Sequence, residues 1–245
     1  MPLRIGFDLD GVLADMESEL RRQSETLFGE PAARRAEAAA EPAEPEPPSA
    51  SADPADAAPD TAPVVQLDMT SRQQRRLWRH VATIENFWEG LEELEPGVIQ
   101  RLASIAIDRR WEIIFLTKRP ETAGATSQVQ SQRWLESKGF TLPSVFVVQG
   151  SRGRIADSLG LDAVVDDRPE NCLDVAVDSK ARAILVWRTE ESQPPAAAQR
   201  LGIGVVKTVA DCLDILIEMD SAQKEAPGVV SRVMRLLGLK EPAAK

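Results

Sequence analysis

Apolar residues along the 245-residue chain follow two rhythms. Short, nearly unbroken apolar runs recur at Leu3–Leu9, Trp111–Leu116, Ser144–Val148, Ala163–Val165 and Ala183–Trp187. Each has the length of a buried strand. Between them the apolar positions recur every three or four residues, the period of a helix with one buried face. This spacing predicts helices over Val12–Phe28, Ser71–Leu91, Pro96 to about Arg109, Thr126–Ser137, Arg154–Leu159, Pro169–Val177 and Val209–Met219. Val205-Val206 reads as an edge strand. Gly29 and Gly139 suit helix ends and Pro96 a helix start. Strands alternating with helices imply right-handed crossovers, and so an α/β fold with a Rossmann-like parallel sheet covered on both faces.

One stretch has neither rhythm. Pro31–Pro63 holds 13 Ala, 8 Pro, seven acids and two arginines, with no aromatic or large aliphatic side chain. It supplies half of the formal net charge of −10. Such a composition buries too little apolar surface to offset the entropy of ordering it, and disorder is expected. A second amphipathic stretch, Val229–Lys240, follows a Pro-Gly pair near the C-terminus. A terminal helix docked on the domain, a helix for a partner and a membrane-surface helix all fit it.

The acidic balance disfavours a nucleic-acid polymer as partner, since phosphate backbones are bound through basic surface. Cys172 and Cys212 match no metal spacing and suit a reducing compartment. With no signal-peptide pattern and no membrane-spanning apolar run, a cytoplasmic protein is expected. Histidine occurs once, at His80, so mechanisms needing two histidines are excluded.

Carboxylates remain. In an open parallel sheet, ligands bind beyond the carboxyl ends of the strands. Three strand ends carry chemistry: Asp8-Leu9-Asp10-Gly11, Thr117-Lys118-Arg119-Pro120 and Asp166-Asp167-Arg168-Pro169. On a sheet these converge. Asp8 and Asp10 stand two apart where a strand breaks at Gly11, so both can face one opening. Four acids in one crevice repel unless a cation sits among them, and oxygen ligands beside a phosphate suit Mg²⁺. The chemistry that fits is phosphoryl transfer, with one carboxylate as nucleophile and another as general acid and then base. Thr117 can donate to a phosphoryl oxygen. Taken singly, Asp-x-Asp is a common turn, and the Asp166-Asp167 pair suits a helix start. It is their joint order that argues for a site.

At these residues the sequence resembles the haloacid dehalogenase (HAD) superfamily. Phe7-Asp8-Leu9-Asp10-Gly11-Val12-Leu13-Ala14-Asp15 is similar to its first motif, Phe115-Leu116-Thr117 to its second and Val164-Val165-Asp166-Asp167 to its fourth. The resemblance implies Asp8 as nucleophile and Asp10 as acid/base. It implies Mg²⁺ held by Asp8, the Asp10 backbone carbonyl and the Asp166-Asp167 pair, with Asp167 the favoured direct ligand. The presence of Asp10 favours a phosphatase over a dehalogenase. For the cation of the third motif, Arg152 and Arg154 both qualify, and Arg152 is favoured.

The resemblance also places a small helical cap after the first strand, because only 34 residues separate Thr117 from Arg152 while about a hundred follow the first motif. The division expected is core and first cap helix over 1–28, linker over 29–66, cap segment over 67–95, core over 96–220, and linker with terminal helix over 221–245. Together with Phe87-Trp88-Glu89-Gly90-Leu91 and Asp166-Asp167-Arg168-Pro169-Glu170-Asn171, the first motif is similar to the 5′(3′)-deoxyribonucleotidase branch. That implies a (deoxy)nucleotide 5′-monophosphate as substrate and a cap aromatic on its base.

Trp78, Phe87 and Trp88 are the aromatics available, and packing is the competing role for each. Trp134 and Trp187 read as core, and Cys172 and His80 as packing or surface. Lys118 and Arg119 either draw in the substrate phosphate or neutralise the acids. A sugar phosphate or other metabolite as substrate, and a non-catalytic interaction protein on the same scaffold, are the alternatives.

Overall fold

The apolar runs become six parallel strands in a computed structural model that describes residues 2–29, 69–189 and 193–225. They are β1 (Arg4–Asp8), β2 (Glu112–Thr117), β3 (Ser144–Val147), β4 (Ala163–Asp166), β5 (Arg182–Val186) and β6 (Gly204–Val206). Their order across the sheet is β3-β2-β1-β4-β5-β6. The chain winds outward from β1 to β3 and then returns to place β4 on the other side of β1. That reversal opens a crevice at the carboxyl ends of β1 and β4, where a ligand can enter. Phe7 of β1 pairs with Phe115 on one side and Val165 on the other. The residues that follow these, Asp8, Leu116 and Asp166, therefore leave the sheet at one level.

Successive strand residues point to opposite faces, and two apolar layers result. Ile5, Phe7, Phe115, Val165 and Ile184 enter one layer, and Ile114, Leu116, Val164 and Leu185 enter the other. Each fully buried large side chain contributes about 1.5–3 kcal/mol. The helices covering the sheet are α3 (Val98–Arg109), α4 (Ser127–Ser137), α5 (Arg152–Leu159), α6 (Pro169–Asp178), α7 (Ala196–Arg200) and α8 (Val209–Glu225). Two further helices, α1 (Met16–Phe28) and α2 (Ser71–Thr83), pack on each other through Leu20, Leu77, Trp78 and Val81. His80 meets Gln23 across this pair at 3.1 Å, a packing role.

Four sequence expectations need correction. The first helix starts at Met16 rather than Val12, because Gly11–Ala14 forms a tight turn and the Asp15 side chain caps the helix by accepting from the Ser18 N–H. The stretch Ser71–Leu91 is not one helix. It ends at Thr83, and after Asn86 the chain makes a 3₁₀ turn over Phe87–Gly90. Asn86 is held there by long-range partners, its N–H donating to Ala123 O and its side-chain oxygen accepting from Ala125 N. Helix α5 begins at Arg152, two residues early, because Gly153 is a packing residue rather than a breaker. Helix α7 was not expected; five residues give no readable period. The tract Pro31–Pro63 and the stretch Val229–Lys240 lie outside the described residues. Among the described residues no helix is long and apolar enough to cross a membrane.

Candidate active site

Asp8 ends β1 and is 8% exposed. Its Oδ1 accepts from Arg152 Nη2 at 2.5 Å, and Arg152 Nε lies 3.6 Å from Asp166 Oδ2. Arg152 is itself buried, and its Nε and Nη1 donate no hydrogen bond. A buried guanidinium with two idle donors is costly unless something accepts from them. The start of α5 fixes this arginine. Ser151 caps the helix by accepting from Arg154 N, and Asp174 of α6 accepts from Ser151 Oγ at 2.7 Å and Gly153 N at 3.1 Å. Gly153 lets the helices touch: a Cβ there would lie 2.2 Å from Asp174 O. Arg154 instead lines a groove of about 370 Å³ with Phe146, Val148 and Ile155. Of the two arginines, Arg152 is the one at Asp8.

The aspartate pair divides its labour. Asp166, fully buried, accepts from Asn171 Nδ2 with both oxygens (3.0 and 2.9 Å) and from Arg168 N at 2.9 Å. Asp167 has a buried Oδ1 with no donor. It lies over Gly11, whose φ is +83°; a Cβ on Gly11 would sit 2.0 Å from Asp167 Oδ2. Burial and then repulsion by Asp166 push the Asp167 carboxyl up to about 7. Asp8 is also pushed well up, first by burial and then by Asp166, with Arg152 opposing. The acids therefore crowd one another as expected.

Asp10 stands in the turn beyond β1. Its Oδ2 accepts from Thr117 Oγ1 at 3.1 Å, and both its oxygens accept from Arg119, from Nε at 3.0 Å each and from Nη2 at 2.7 Å. Arg119 is 1% exposed, with its guanidinium 4.9 Å from the Trp88 ring and 5.5 Å from the Trp134 ring. Of the two roles open to it, this arrangement favours neutralising an acid: Nε and Nη2 donate to Asp10, Nη1 donates to Ser131, and the side chain is buried. Trp88 is fully buried, its Nε1 donating to Pro120 O at 3.0 Å, and it presents no face to a substrate. Lys118 is half-buried and has no ion pair among the described residues.

Among the described residues no three His, Cys, Asp or Glu side chains converge on one cation position. Asp166 accepts from Asn171 and Arg168 and the Asp10 side chain from Thr117 and Arg119, so neither keeps a donorless buried oxygen as Asp167 does. What fits a cation is smaller: the Asp8 and Asp167 carboxylates and the Asp10 carbonyl, with the donorless Asp167 Oδ1 as the observation in its favour. An oxygen-only set of few protein ligands suits Mg²⁺, which keeps several waters.

Sequence reasoning missed two neighbours. A cavity of about 340 Å³ beside Asp167 is lined by Gly11, Asp15, Glu17, Trp187 and Arg188. Trp187 is half-buried: it packs against the second apolar layer, as expected, and also lines this cavity. Arg188 donates to Gly11 O (2.6 Å), Val12 O (3.0 Å) and Glu95 (2.6 Å), pinning the turn after Asp10. The position of both just past the end of β5 was the available signal.

No family model matches the chain, and no curated protein matches it in sequence. Solved structures do. A candidate beta-phosphoglucomutase from Thermotoga maritima superposes with a TM-score of 0.51 and 17% identity, over 88% of this chain and 99% of the other. A hydrolase from Pseudomonas syringae (TM-score 0.46, 15% identity, 89% and 99% covered) and a haloacid dehalogenase-like family hydrolase from Xanthomonas campestris (0.47, 14%, 90% and 97%) are also similar. The first of these likenesses shows the fold: the parallel α/β sheet expected from the sequence is the sheet of that protein.

Proposed function

We propose that the chain is a hydrolase of the haloacid dehalogenase superfamily that cleaves a small phosphomonoester through an aspartyl-phosphate. The carrying observation is Asp8, a buried carboxylate at a strand end, paired with a buried Arg152 that keeps two donors idle. A phosphoryl group on Asp8 supplies acceptors for both.

In the first step an Asp8 carboxylate oxygen attacks phosphorus and the P–O ester bond breaks. Asp10, protonated, gives its proton to the departing alkoxide. In the second step Asp10 takes a proton from water, whose oxygen attacks phosphorus; the acyl-phosphate bond breaks, and Asp8 and inorganic phosphate are released. Arg152 and Lys118 offset charge on the phosphoryl oxygens, while Thr117, whose one O–H goes to Asp10, helps to hold the acid/base. Mg²⁺, held by Asp8, Asp167 and the Asp10 carbonyl, would lower the repulsion between the nucleophile and the phosphate.

The substrate reading moves away from a nucleotide 5′-monophosphate. Trp78, Phe87 and Trp88 are 7%, 4% and 0% exposed and offer a base no platform. A sugar phosphate or similar metabolite suits the cavity between Trp187 and the start of α1 at Asp15–Glu17. Its carboxylates suit hydroxyl groups and repel a second anionic group. A nucleotide remains the second reading only through Trp187, the one aromatic at that wall. Phosphate release from sugar phosphates, nucleotide monophosphates and p-nitrophenyl phosphate, with Mg²⁺ and with EDTA, tests this. Mg²⁺-dependent release lost in Asp8→Asn is expected. Release that survives in Asp8→Asn would overturn the chemistry, and nucleotides ranking first would overturn the substrate order.

A further inference from the structure

The acid/base assigned to Asp10 has a structural problem. Asp10 lies two residues beyond the end of β1 and its backbone is held by a single bridge to Ala14, a weaker hold on the side chain than a strand gives. A carboxylate that must face a leaving group in one step and water in the next needs an orientation fixed within a fraction of an ångström. We infer that Arg119 supplies that orientation: it is the positioning residue of Asp10, packed against two tryptophans, rather than a substrate ligand.

Three observations carry the inference. Arg119 grips both oxygens of one carboxylate through Nε and Nη2, the planar two-point geometry that sets the orientation of the whole group. Thr117 Oγ1 closes the grip, donating to Asp10 Oδ2 while accepting from Arg119 N at 3.3 Å. The guanidinium cannot drift. Its remaining nitrogen, Nη1, donates to Ser131 Oγ at 2.9 Å, and Ser131 Oγ donates to Ser127 O at 2.7 Å.

The walls are themselves pinned. Trp88 Nε1 donates to Pro120 O and Trp134 Nε1 to Leu91 O at 2.7 Å, and both rings are fully buried. Two indole rings this near a buried guanidinium attract it electrostatically and help to exclude water from it. Trp88, in the turn after α2, is also tied to α4, its N–H donating to Gln130 Oε1 at 3.0 Å. The geometry at Asp10 thus depends on Trp88, far along the segment between β1 and β2, through Arg119.

The inference rests on the proposed chemistry for its activity readout, so the test has two arms. In the first, Arg119→Met and Arg119→Lys are compared with wild type on p-nitrophenyl phosphate, whose leaving group departs without a proton, and on an alkyl phosphate, whose leaving group needs one. For Arg119→Met, kcat on the alkyl ester is expected to fall by about 10²-fold or more with KM within about threefold, the size of a lost general acid–base contribution. A rapid burst of p-nitrophenolate, one per site, is expected to survive, since Asp8 still attacks. Arg119→Lys, which keeps the charge but not the two-point grip, is expected to recover only part of the loss. A rise in KM with kcat unchanged would make Arg119 a substrate ligand, and equal losses on both esters with no burst would make it a general prop of the fold. Either overturns the inference.

The second arm needs no turnover. Thermal midpoints of Asp10→Asn, Arg119→Met and the double variant are compared. Removing Asp10 alone strands a buried guanidinium, so the double variant is expected to melt above Asp10→Asn. Additive losses would show that the pair is not coupled, and would overturn the inference even if no substrate is ever hydrolysed. Failure of wild type in the first arm together with coupling in the second would sink the proposed function alone.

Discussion

Replacing Asp167 by asparagine is expected to make the metal-free protein more stable in alkaline solution while abolishing its response to Mg²⁺. The Asp167 carboxyl ionises near 3.8 in the unfolded chain and is pushed up to about 7 in the fold, by burial and by Asp166. Between those values the folded state holds a proton that the unfolded chain has released. Stability therefore falls as pH rises from about 4 to about 7, and the loss is complete above that. A rise of this size corresponds to a ceiling of about 4 kcal/mol, at about 1.4 kcal/mol per unit. An asparagine at this position cannot ionise, so the variant escapes that loss. In a chain of this length each kcal/mol moves the melting midpoint by about 2–4 °C. Melts in EDTA at about pH 4 and about pH 8 read the effect: variant and wild type near each other in acid, the variant several degrees higher in base. Adding Mg²⁺ at the higher pH is expected to raise wild type and leave the variant unmoved. An Asp167→Asn protein that is destabilised equally at both pH values would refute the reasoning, because the carboxylate would then be a satisfied structural group.

Two further substitutions probe how the site is held. Gly153→Ala puts a methyl group against the Asp174 backbone, forces α5 off α6 and is expected to cost about 1–3 kcal/mol in denaturant melts, with activity falling as Arg152 shifts. Gly150→Ala, which meets only Ile155 Cδ1 at 4.0 Å, serves as its near-neutral control. Arg188→Met removes donors to Gly11 O, Val12 O and Glu95 and is expected to cost about 2 kcal/mol and lower kcat; an unchanged melt and rate would show that the turn after Asp10 holds without it.

The strand ends were legible in the sequence because each apolar run is short, buried and followed at once by acids or Thr-Lys-Arg. Asp8, Asp10, Thr117, Arg152 and Asp167 accordingly meet at the carboxyl edge of β1, β2 and β4. What was not legible depends on long-range partners. Ser71–Leu91 keeps a helical period through Ile84 and Trp88, yet the chain turns at Asn86 because Ala123 and Ala125 bond to it from another part of the chain. Arg119 looks like a substrate-facing cation when its neighbours are Lys118 and Pro120. Only the fold brings Trp88 and Trp134 against it, from 31 positions before and 15 after. Trp88 likewise has the position of a cap aromatic but the burial of a core residue. Gly153 resembles a helix stop until the backbone of Asp174 is seen against it.

Everything proposed for the site turns on Asp8 carrying the phosphoryl group. Asp10→Asn is expected to block the second step but to spare the first on an ester whose leaving group needs no proton, so acid quenching that variant after incubation with phosphoryl-labelled p-nitrophenyl phosphate and Mg²⁺ should trap the intermediate. Peptide mapping is predicted to find the label on Asp8, in an amount approaching one per site, and none in the Asp8→Asn protein. Wild-type hydrolysis of the same substrate with no label on Asp8 in the trapped variant would contradict the account.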